Sequence, residues 1–416
     1  MTAEVAILNT HGVALAADSA VTVSLGGEKK VYNTANKLFT LSKYHPVGIM
    51  IYSNATYMGI DWEIIIKEFR KTIKNQPYKT LFEYADNFIK YVKEYDLITE
   101  EQQKDTLFSS CYYIVSRVRD IFICEIENKF KSIENTTLRQ VVQILNSAIR
   151  EIQYFQKNMS GDTLYTLDVD FVEQYKKDVY EIIDDVFEKY KLSIWQKENI
   201  YKIIITDLIK ANNLGNISGI VIAGYGEKEI YPSVYHCEIL GKIGKSFIFA
   251  EGRDSISYEN PATIMPFAQK EMVQMFMEGI DPRYRMTIEK QLDNLMISIT
   301  NVIGNTYKSK LMKTKNRFIK YLNDFQQRVY VSPIMSIVKS LQKLDLAEMA
   351  ETLVNLTAFK RHISKDAETV GGPTDVAIIT KGDGFVWIKR KHYFDININQ
   401  FFQQKYFMED INEQGL

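Results

Sequence analysis

The first eighteen residues place the strongest constraint on the fold of this chain. Thr2 is followed by an apolar run, a Thr10-His11-Gly12 turn and a second apolar run that ends at Asp18. Short apolar runs on either side of a glycine-containing turn are typical of a buried β-hairpin. We therefore expect the chain to begin inside a sheet, with Thr2 at the start of the first strand.

Thr2 has the chemistry of an N-terminal nucleophile. Methionine is normally removed when a small residue follows it, and Thr2 is followed by Ala3. Removal of Met1 would leave an α-amine beside the Thr2 hydroxyl, and a free α-amine has a pKa of about 8. Such an amine can accept the hydroxyl proton and later return it to a leaving amine. Many chains begin Met-Thr, so this hypothesis depends on the residues that follow.

The opening "TAEVAILNTHGVALAADSAVT" resembles the start of proteasome β subunits and of the bacterial HslV peptidase. In that family an aspartate ends the second strand, and a lysine begins the next strand and points at the nucleophile. Asp18 matches the aspartate, and Lys37 in "TANKLFTLS" matches the lysine. The resemblance implies that Lys37 favours the alkoxide and that Asp18 holds the ammonium in place. Either charge alone is typical of an ordinary strand end; together and in order with Thr2, they favour a catalytic site.

A C-terminal stretch extends the resemblance. The sequence "LAEMAETLVNLTAFKRHISKDAETVGGPTDVAII" resembles the last long helix of the family, its acidic loop and the Gly-Gly approach to a closing strand. This implies catalytic roles for Asp366 and for Thr369, which is preferred to Val370 because only a hydroxyl can hydrogen-bond the amine and the carboxylate. An ordinary helix end followed by a turn would fit the glycines of this stretch equally well.

One stretch departs from the family pattern. "KSFIFAEGRDS" resembles a strand that runs into a Gly-Ser-Gly-Ser turn, whose first serine lies near the terminal amine in the family. Alignment on Phe249 and Gly252 puts Arg253 at the first serine and Ser255 at the second. The expected proton network is incomplete at Arg253.

The resemblance also locates the oxyanion and substrate contacts. The family supplies a backbone amide from a glycine-rich segment, and this chain has "GIMIYSNATYMG" there. Tyr52 or Ser53 could donate that amide, because a main-chain N–H does not require glycine. The substrate pocket is expected around the same segment and the exit of the second strand, lined by Val21, Thr22, Met50 and Asn54.

Composition excludes several classes of function. The chain of 416 residues is 46% hydrophobic and 25% charged, as in a soluble globular protein, and its net charge is -1 with scattered basic residues. This argues against a nucleic-acid or membrane partner. Three cysteines without C-x-x-C spacing predict reduced thiols in the cytoplasm. Five dispersed histidines predict no metal site, and we expect no cofactor.

The hydrophobic periodicity divides the chain into five segments. Strands and two helices over 1–95 form the N-terminal part of a core, which continues over 213–281 and ends over 344–416. Helical insertions are predicted over 96–212 and 282–343, and a helix with a methionine-rich face over 262–279. The resemblance implies an α+β fold, the four-layer αββα sandwich of N-terminal nucleophile (Ntn) hydrolases, with large helical insertions.

The resemblance leaves two functions of different classes open. The first is a threonine-type peptidase or amidohydrolase that acts on a peptide or protein substrate and forms a homo-oligomer. Any ATP-driven unfolding would need a separate ATPase unfoldase, because the sequence has no Walker-type loop. The second is a catalytically inactive proteasome-like protein that keeps the fold for assembly or binding.

Overall fold

Two five-stranded sheets form the centre of the protein. The computed structural model describes residues 2–25, 28–130, 137–158, 166–211, 214–364, 371–392, 394–401 and 404. The strands are β1 (Ala3–Asn9), β2 (Gly12–Ala17), β3 (Val21–Leu25), β4 (Glu28–Tyr32), β5 (Leu38–Thr40), β6 (Val47–Ser53), β7 (Thr56–Tyr57), β8 (Ile60–Asp61), β9 (Ser218–Gly224), β10 (Ser233–Ile243), β11 (Ser246–Ser255), β12 (Ala262–Ala268), β13 (Asp375–Thr380) and β14 (Gly384–Lys389).

Helices occupy the segments between these strands. They are α1 (Trp62–Ile73), α2 (Leu81–Lys93), α3 (Glu100–Phe130), α4 (Leu138–Asn158), α5 (Val169–Gln174), α6 (Lys176–Val186), α7 (Ile194–Ile209), α8 (Glu271–Glu278), α9 (Pro282–Ile303), α10 (Lys308–Gln326), α11 (Ser332–Val338) and α12 (Lys343–Ile363). A π-helical turn, Gln327–Val331, joins α10 to α11. The predicted α+β class is therefore confirmed.

The N-terminal hairpin lies inside the first sheet. The strand order is β12-β1-β2-β13-β14 in the first sheet and β11-β10-β9-β6-β5 in the second. Every residue of β1 and β2 is buried. Because both strands are covered on their two faces, they have apolar side chains almost throughout, and this explains the nearly continuous apolar run.

Each sheet has one face against the other sheet and one face against helices. In β1, Ala3, Val5 and Ile7 pack with α12 on the outer side, whereas Ala6 and Leu8 pack with residues of the second sheet. Side chains of α1 and α2 cover the outer face of the second sheet. Side chains alternate along β1, so Thr2 and Glu4 lie on the same face as Ala6 and point toward the space between the sheets.

The helix predicted over 262–279 is wrong in its first half. Residues Ala262–Ala268 form β12, which pairs antiparallel with β1 from Ala3 to Asn9. Only Glu271–Glu278 are helical. Pro266 lacks the N–H that a helix interior needs, but an edge strand tolerates it, so strand pairing outweighs the helical spacing of the methionines.

The two helical segments differ in how they are packed. Helices α3 to α7 share an apolar core that also includes Leu240, Ile243 and Ile248 of β10 and β11. In contrast, every residue of α9 and α10 is described and none of them is buried. Within the described ranges, no helix is long and apolar enough to span a bilayer.

Candidate active site

Thr2 is anchored between the ends of two strands from different sheets. It precedes β1 and is 2% exposed. Its Oγ1 accepts a hydrogen bond from the Ser53 N–H at 3.2 Å, and its carbonyl accepts one from the Gln269 N–H at 3.3 Å. Ser53 ends β6 in the second sheet, and Gln269 follows β12 in the first. The Thr2 hydroxyl is thus held with a main-chain donor directed at its oxygen.

Ser53 adopts a backbone conformation that favours glycine. Its φ angle is 68°, in the left-handed region. A residue other than glycine in this region carries strain, which structures keep where the geometry is needed. Here the turn at the end of β6 directs the Ser53 N–H, and not that of Tyr52, at Thr2. The Ser53 side chain is exposed, so only its main chain serves the site.

Lys37 lies beside two buried carboxyl groups. It is 2% exposed and immediately precedes β5, where its carbonyl accepts the Ile51 N–H at 2.8 Å. Its Nζ forms an ion pair with Asp18 and lies 3.3 Å from Glu4 Oε1. The strand pairing of β5 with β6 therefore brings this ammonium to the same sheet end as Ser53.

Asp18 joins the N-terminal strand to the segment before β13. It is 1% exposed. Its carboxylate accepts the Ala3 N–H at 3.1 Å, the Gly371 N–H at 3.0 Å and the Ala20 N–H at 3.3 Å. All of these partners are donors, as an ionised carboxylate requires. Asp18 thereby fixes both the backbone next to Thr2 and the ammonium of Lys37.

Glu4 is the site residue that the sequence analysis missed. It is 1% exposed, and no described residue gives its oxygens a well-aligned hydrogen bond, although the Thr2 hydroxyl and Lys37 lie beside it. Burial raises the pKa of Glu4 to about 8; Lys37 opposes this rise and Asp18 adds to it. A lone carboxylate inside the mostly apolar strand "AEVAILN" was the available signal.

The residues predicted to line a pocket differ in burial. Met50 is fully buried between the sheets, so it lines no open surface. Asn54 bonds Asn216 and closes a turn onto Thr56. Val21 is partly exposed at the start of β3.

Three predicted positions lie wholly or partly outside the described residues. Thr22 is in β3, but its side chain is outside the described part. Asp366 and Thr369 fall in 365–370, which is not described. Gly371, directly after that segment, binds Asp18.

Tyr52 contributes to the core and to a cavity. Its ring stacks on Phe267 with centroids 5.4 Å apart, and its hydroxyl donates to Glu238 at 3.3 Å. Both aromatic rings line a cavity of about 640 Å³ between β10, β11, β12 and α8. His236 and Lys270 also line it, and burial together with the nearby Lys270 charge lowers the pKa of His236. The cavity therefore offers aromatic walls with a few polar groups.

Arg253 does not lie at the terminal residue. Its guanidinium forms ion pairs with Asp86 and Glu251, 2.7 and 3.2 Å away, and it is located on β11. The backbone that contacts Thr2 after a strand is that of Gln269. The alignment on Phe249 was therefore wrong by one strand, because β12 follows β11 and pairs with β1.

Comparisons with known proteins give limited information. No protein-family model matches the chain, and no curated protein matches it. Three solved structures of Anbu are similar to it, each with 8% identity. Two of them are from Hyphomicrobium sp. strain MC1: an Anbu (Gly-1) mutant with a TM-score of 0.31 and Anbu with a TM-score of 0.30. The third is Anbu (ancestral beta-subunit) from Yersinia bercovieri, with a TM-score of 0.28. In the same order, the aligned part covers 100, 99 and 100% of this chain, and 98, 97 and 98% of the respective Anbu chain. TM-scores of this size do not assign a fold.

The described residues also bear on metal binding. Among them, no three or more His, Cys, Asp or Glu side chains come together in a way that could hold a metal ion. The buried charges at Thr2 comprise one ammonium between two carboxyl groups. In chemical terms the arrangement offers a hydroxyl, a main-chain donor and a cation.

Proposed function

We propose that this chain is a proteasome-like N-terminal nucleophile hydrolase of the threonine type, acting on a peptide or small amide. The observation that carries the proposal is the Thr2 hydroxyl, which is buried between the sheets and accepts the Ser53 N–H at 3.2 Å. Lys37, Asp18 and Glu4 form a buried charged group around the same strand ends. The succession of helices, two facing sheets and helices supports the four-layer αββα assignment.

The reaction begins with the loss of Met1. The Thr2 oxygen attacks the substrate carbonyl carbon while its proton passes to the freed α-amine. The carbon–nitrogen bond of the substrate then breaks, and the ammonium returns the proton to the leaving amine. This leaves an ester on Thr2, which a water molecule hydrolyses with the α-amine as base, regenerating the free hydroxyl.

The neighbouring groups have separate roles in this reaction. The Ser53 N–H lies close enough to the attacking oxygen to reach the oxyanion on the carbon bonded to it. Lys37 stabilises the alkoxide through its positive charge, and Asp18 fixes Lys37. Asp366 and Thr369 remain proposed partners of the α-amine. The Asp18–Gly371 hydrogen bond supports this, because it ties the residue after their segment to the site.

The substrate is proposed to reach the site from the side of Tyr52. This residue lines the 640 Å³ cavity, and the next residue supplies the donor to Thr2. The Tyr52 and Phe267 rings suit an apolar substrate group, while the polar lining offers hydrogen bonds. We also place Val21, Thr22 and Asn54 at the outer edge of the substrate site.

The cellular setting belongs to the same proposal. We place the protein in the cytoplasm as a homo-oligomer, with a separate ATPase where folded substrates have to be unfolded. Cys111, Cys124 and Cys237 are all unpaired, as a reducing compartment favours.

A catalytically inactive, proteasome-like binding protein is the second candidate, and one observation favours it. Glu4 offers Lys37 a second buried carboxyl group 3.3 Å away, in addition to Asp18. When ionised, Glu4 would draw the ammonium from the Thr2 hydroxyl and reduce its effect on the alkoxide. In that case the charged group would serve the fold alone.

A matched pair of proteins separates the two candidates. One is released from a cleavable fusion so that it begins at Thr2, and the other so that it begins at Met1, with both masses verified. Hydrolysis of a panel of fluorogenic peptide amides by the first protein alone is the expected result. Equal hydrolysis by both would contradict the amine as base, and no hydrolysis by either would favour the inactive candidate.

A further inference from the structure

The α9–α10 hairpin, residues 282–326, carries exposed apolar surface. Large apolar side chains stand exposed on both helices, among them Tyr284 and Leu295 of α9 and Phe318, Tyr321 and Phe325 of α10. Their exposed fractions run from 40% for Phe325 to 63% for Tyr284. Several large exposed apolar side chains on neighbouring helices are typical of a site of association.

The charge of the hairpin restricts the kind of partner. Residues 282–326 contain nine basic and three acidic residues, whereas the whole chain has a net charge of -1. On α10, Lys310, Lys313, Arg317 and Lys320 follow a spacing of three and four residues, so they form one stripe along the helix. Phe318, Tyr321 and Phe325 have the same spacing and flank this stripe. The surface therefore combines positive charge with aromatic rings.

A complementary surface lies on the first helical insertion. Asp178, Glu181, Asp185 and Glu188 on and directly after α6 repeat the spacing of the basic stripe, and the last three are exposed. Within the described part of the chain, none of these three forms an ion pair, and these three carboxylates and the basic stripe are exposed in a single copy.

Exposed apolar residues lie next to the acidic stripe. Ile194 and Trp195 begin α7 and are 82% and 45% exposed. The Lys197–Asp184 ion pair holds the start of α7 beside α6. The acidic stripe therefore also has apolar side chains at its end, as the hairpin has beside its basic stripe.

We propose that the basic and aromatic stripe of α10 in one copy of this chain docks on the acidic stripe of α6 in a second copy. The shared spacing lets the cations of α10 face the exposed carboxylates of Glu181, Asp185 and Glu188, while the aromatic rings of α10 pack beside Ile194 and Trp195. Because the two surfaces differ, the contact is heterologous, and its repetition gives a closed ring or an open chain.

Charge reversal tests the contact directly. Arg317→Glu with Lys320→Glu should weaken self-association roughly tenfold or more in sedimentation velocity, and raised salt should weaken the wild-type contact. A matched control, Lys71→Glu with Lys90→Glu on α1 and α2, makes the same charge change elsewhere and should leave association unchanged. Circular dichroism and thermal unfolding verify that each variant is folded.

A charge swap completes the test. Glu181→Lys with Asp185→Lys should also weaken self-association, and mixing this variant with the Arg317→Glu, Lys320→Glu variant should restore a mixed complex. A monomeric wild type at 100 micromolar and low salt, unchanged association after reversal, or failure of the mixture to associate would overturn the proposal. Association that is lost on nuclease treatment would overturn it as well, because a nucleic acid would then be the partner.

The contact is independent of the chemistry at Thr2. Thr2→Ala is expected to associate as the wild type does, so loss of hydrolysis and loss of assembly are separate outcomes. Altered association in Thr2→Ala would contradict this separation.

Discussion

The Thr2 site and the α9–α10 hairpin depart from ordinary folding rules in opposite directions. The site buries the Lys37–Asp18 ion pair and the Glu4 carboxyl group at 1–2% exposure, and the removal of such groups from water costs free energy that pairing can fail to return. Helices α9 and α10 of the hairpin leave several large apolar side chains exposed and bury none of their own residues. Neither arrangement is what the stability of a single copy would favour. The proposed hydrolysis would account for the first arrangement, and the proposed contact between copies would account for the second.

Replacement of Thr2 should produce the largest effect on hydrolysis. A small effect would remove the contrast between the Thr2 site and the hairpin. Thr2→Ala removes the nucleophilic oxygen, so hydrolysis should fall by at least about a thousandfold. The Ser53 N–H loses its acceptor, which should cost about 1 kcal/mol of unfolding free energy. Thr10→Ala, the same change in the β1–β2 turn, is the control and should hydrolyse as the wild type does. Retained hydrolysis by a folded Thr2→Ala protein would remove Thr2 from the mechanism.

Replacement of Lys37 sharpens the contrast between buried and exposed charge. Lys37→Met leaves the buried Asp18 carboxylate without its cation, so the unfolding free energy should fall by roughly 3–5 kcal/mol at pH 7. Lys67→Met breaks an exposed pair with Glu63 on α1 and should cost less than about 1 kcal/mol. Urea unfolding followed by circular dichroism measures both. Equal losses would mean that the site charges carry no special burial cost.

Glu4 should make stability depend on pH. Its pKa is about 8 when folded and near 4.5 in the unfolded chain, so the folded state holds an extra proton between these values. Stability gained from Glu4 is therefore complete below pH 4.5 and is lost as the pH rises through 8. Glu4→Gln should flatten the dependence of the unfolding free energy between pH 5 and 8. Glu151→Gln, an exposed control on α4, should parallel the wild type; a Glu4→Gln curve that also did so would refute the assignment.

The Ser53 side chain should have the smallest effect. Only the main-chain N–H of Ser53 contacts Thr2, and its side chain is exposed. Ser53→Ala keeps a Cβ atom at the φ angle of 68°, so backbone strain is unchanged. The kcat/KM for a peptide amide should change by less than about threefold. A loss of about a hundredfold would instead assign a role to the Ser53 hydroxyl.

Local features of the site were predictable from the sequence, and long-range pairings were not. The strands around Thr2, Asp18 and Lys37 follow from short apolar runs that stop at charged residues, and this is a local pattern. Glu4 was missed because alternation places polar residues on exposed strand faces, whereas β1 is covered on both sides. Its environment depends on the second sheet, which the sequence of β1 does not specify.

The misplacement of Arg253 has the same origin. Its segment and that of Gln269 both follow a strand, and only the pairing of β12 with β1 decides which one lies at Thr2. That pairing joins distant parts of the chain, so no local signal identifies it. Similarly, the spacing of the methionines favoured a helix over 262–268 until the edge position of Pro266 in the sheet was known.

The most direct test of the central claim is the mapping of a covalent adduct by mass spectrometry. Freshly expressed untagged protein is treated with an electrophile directed at N-terminal threonine, and the intact mass and the N-terminal peptide are then measured. The account predicts loss of Met1 and a single adduct on Thr2, absent from Thr2→Ala. A protein that hydrolyses peptide amides while retaining Met1, or one that carries its adduct at another residue, would contradict it.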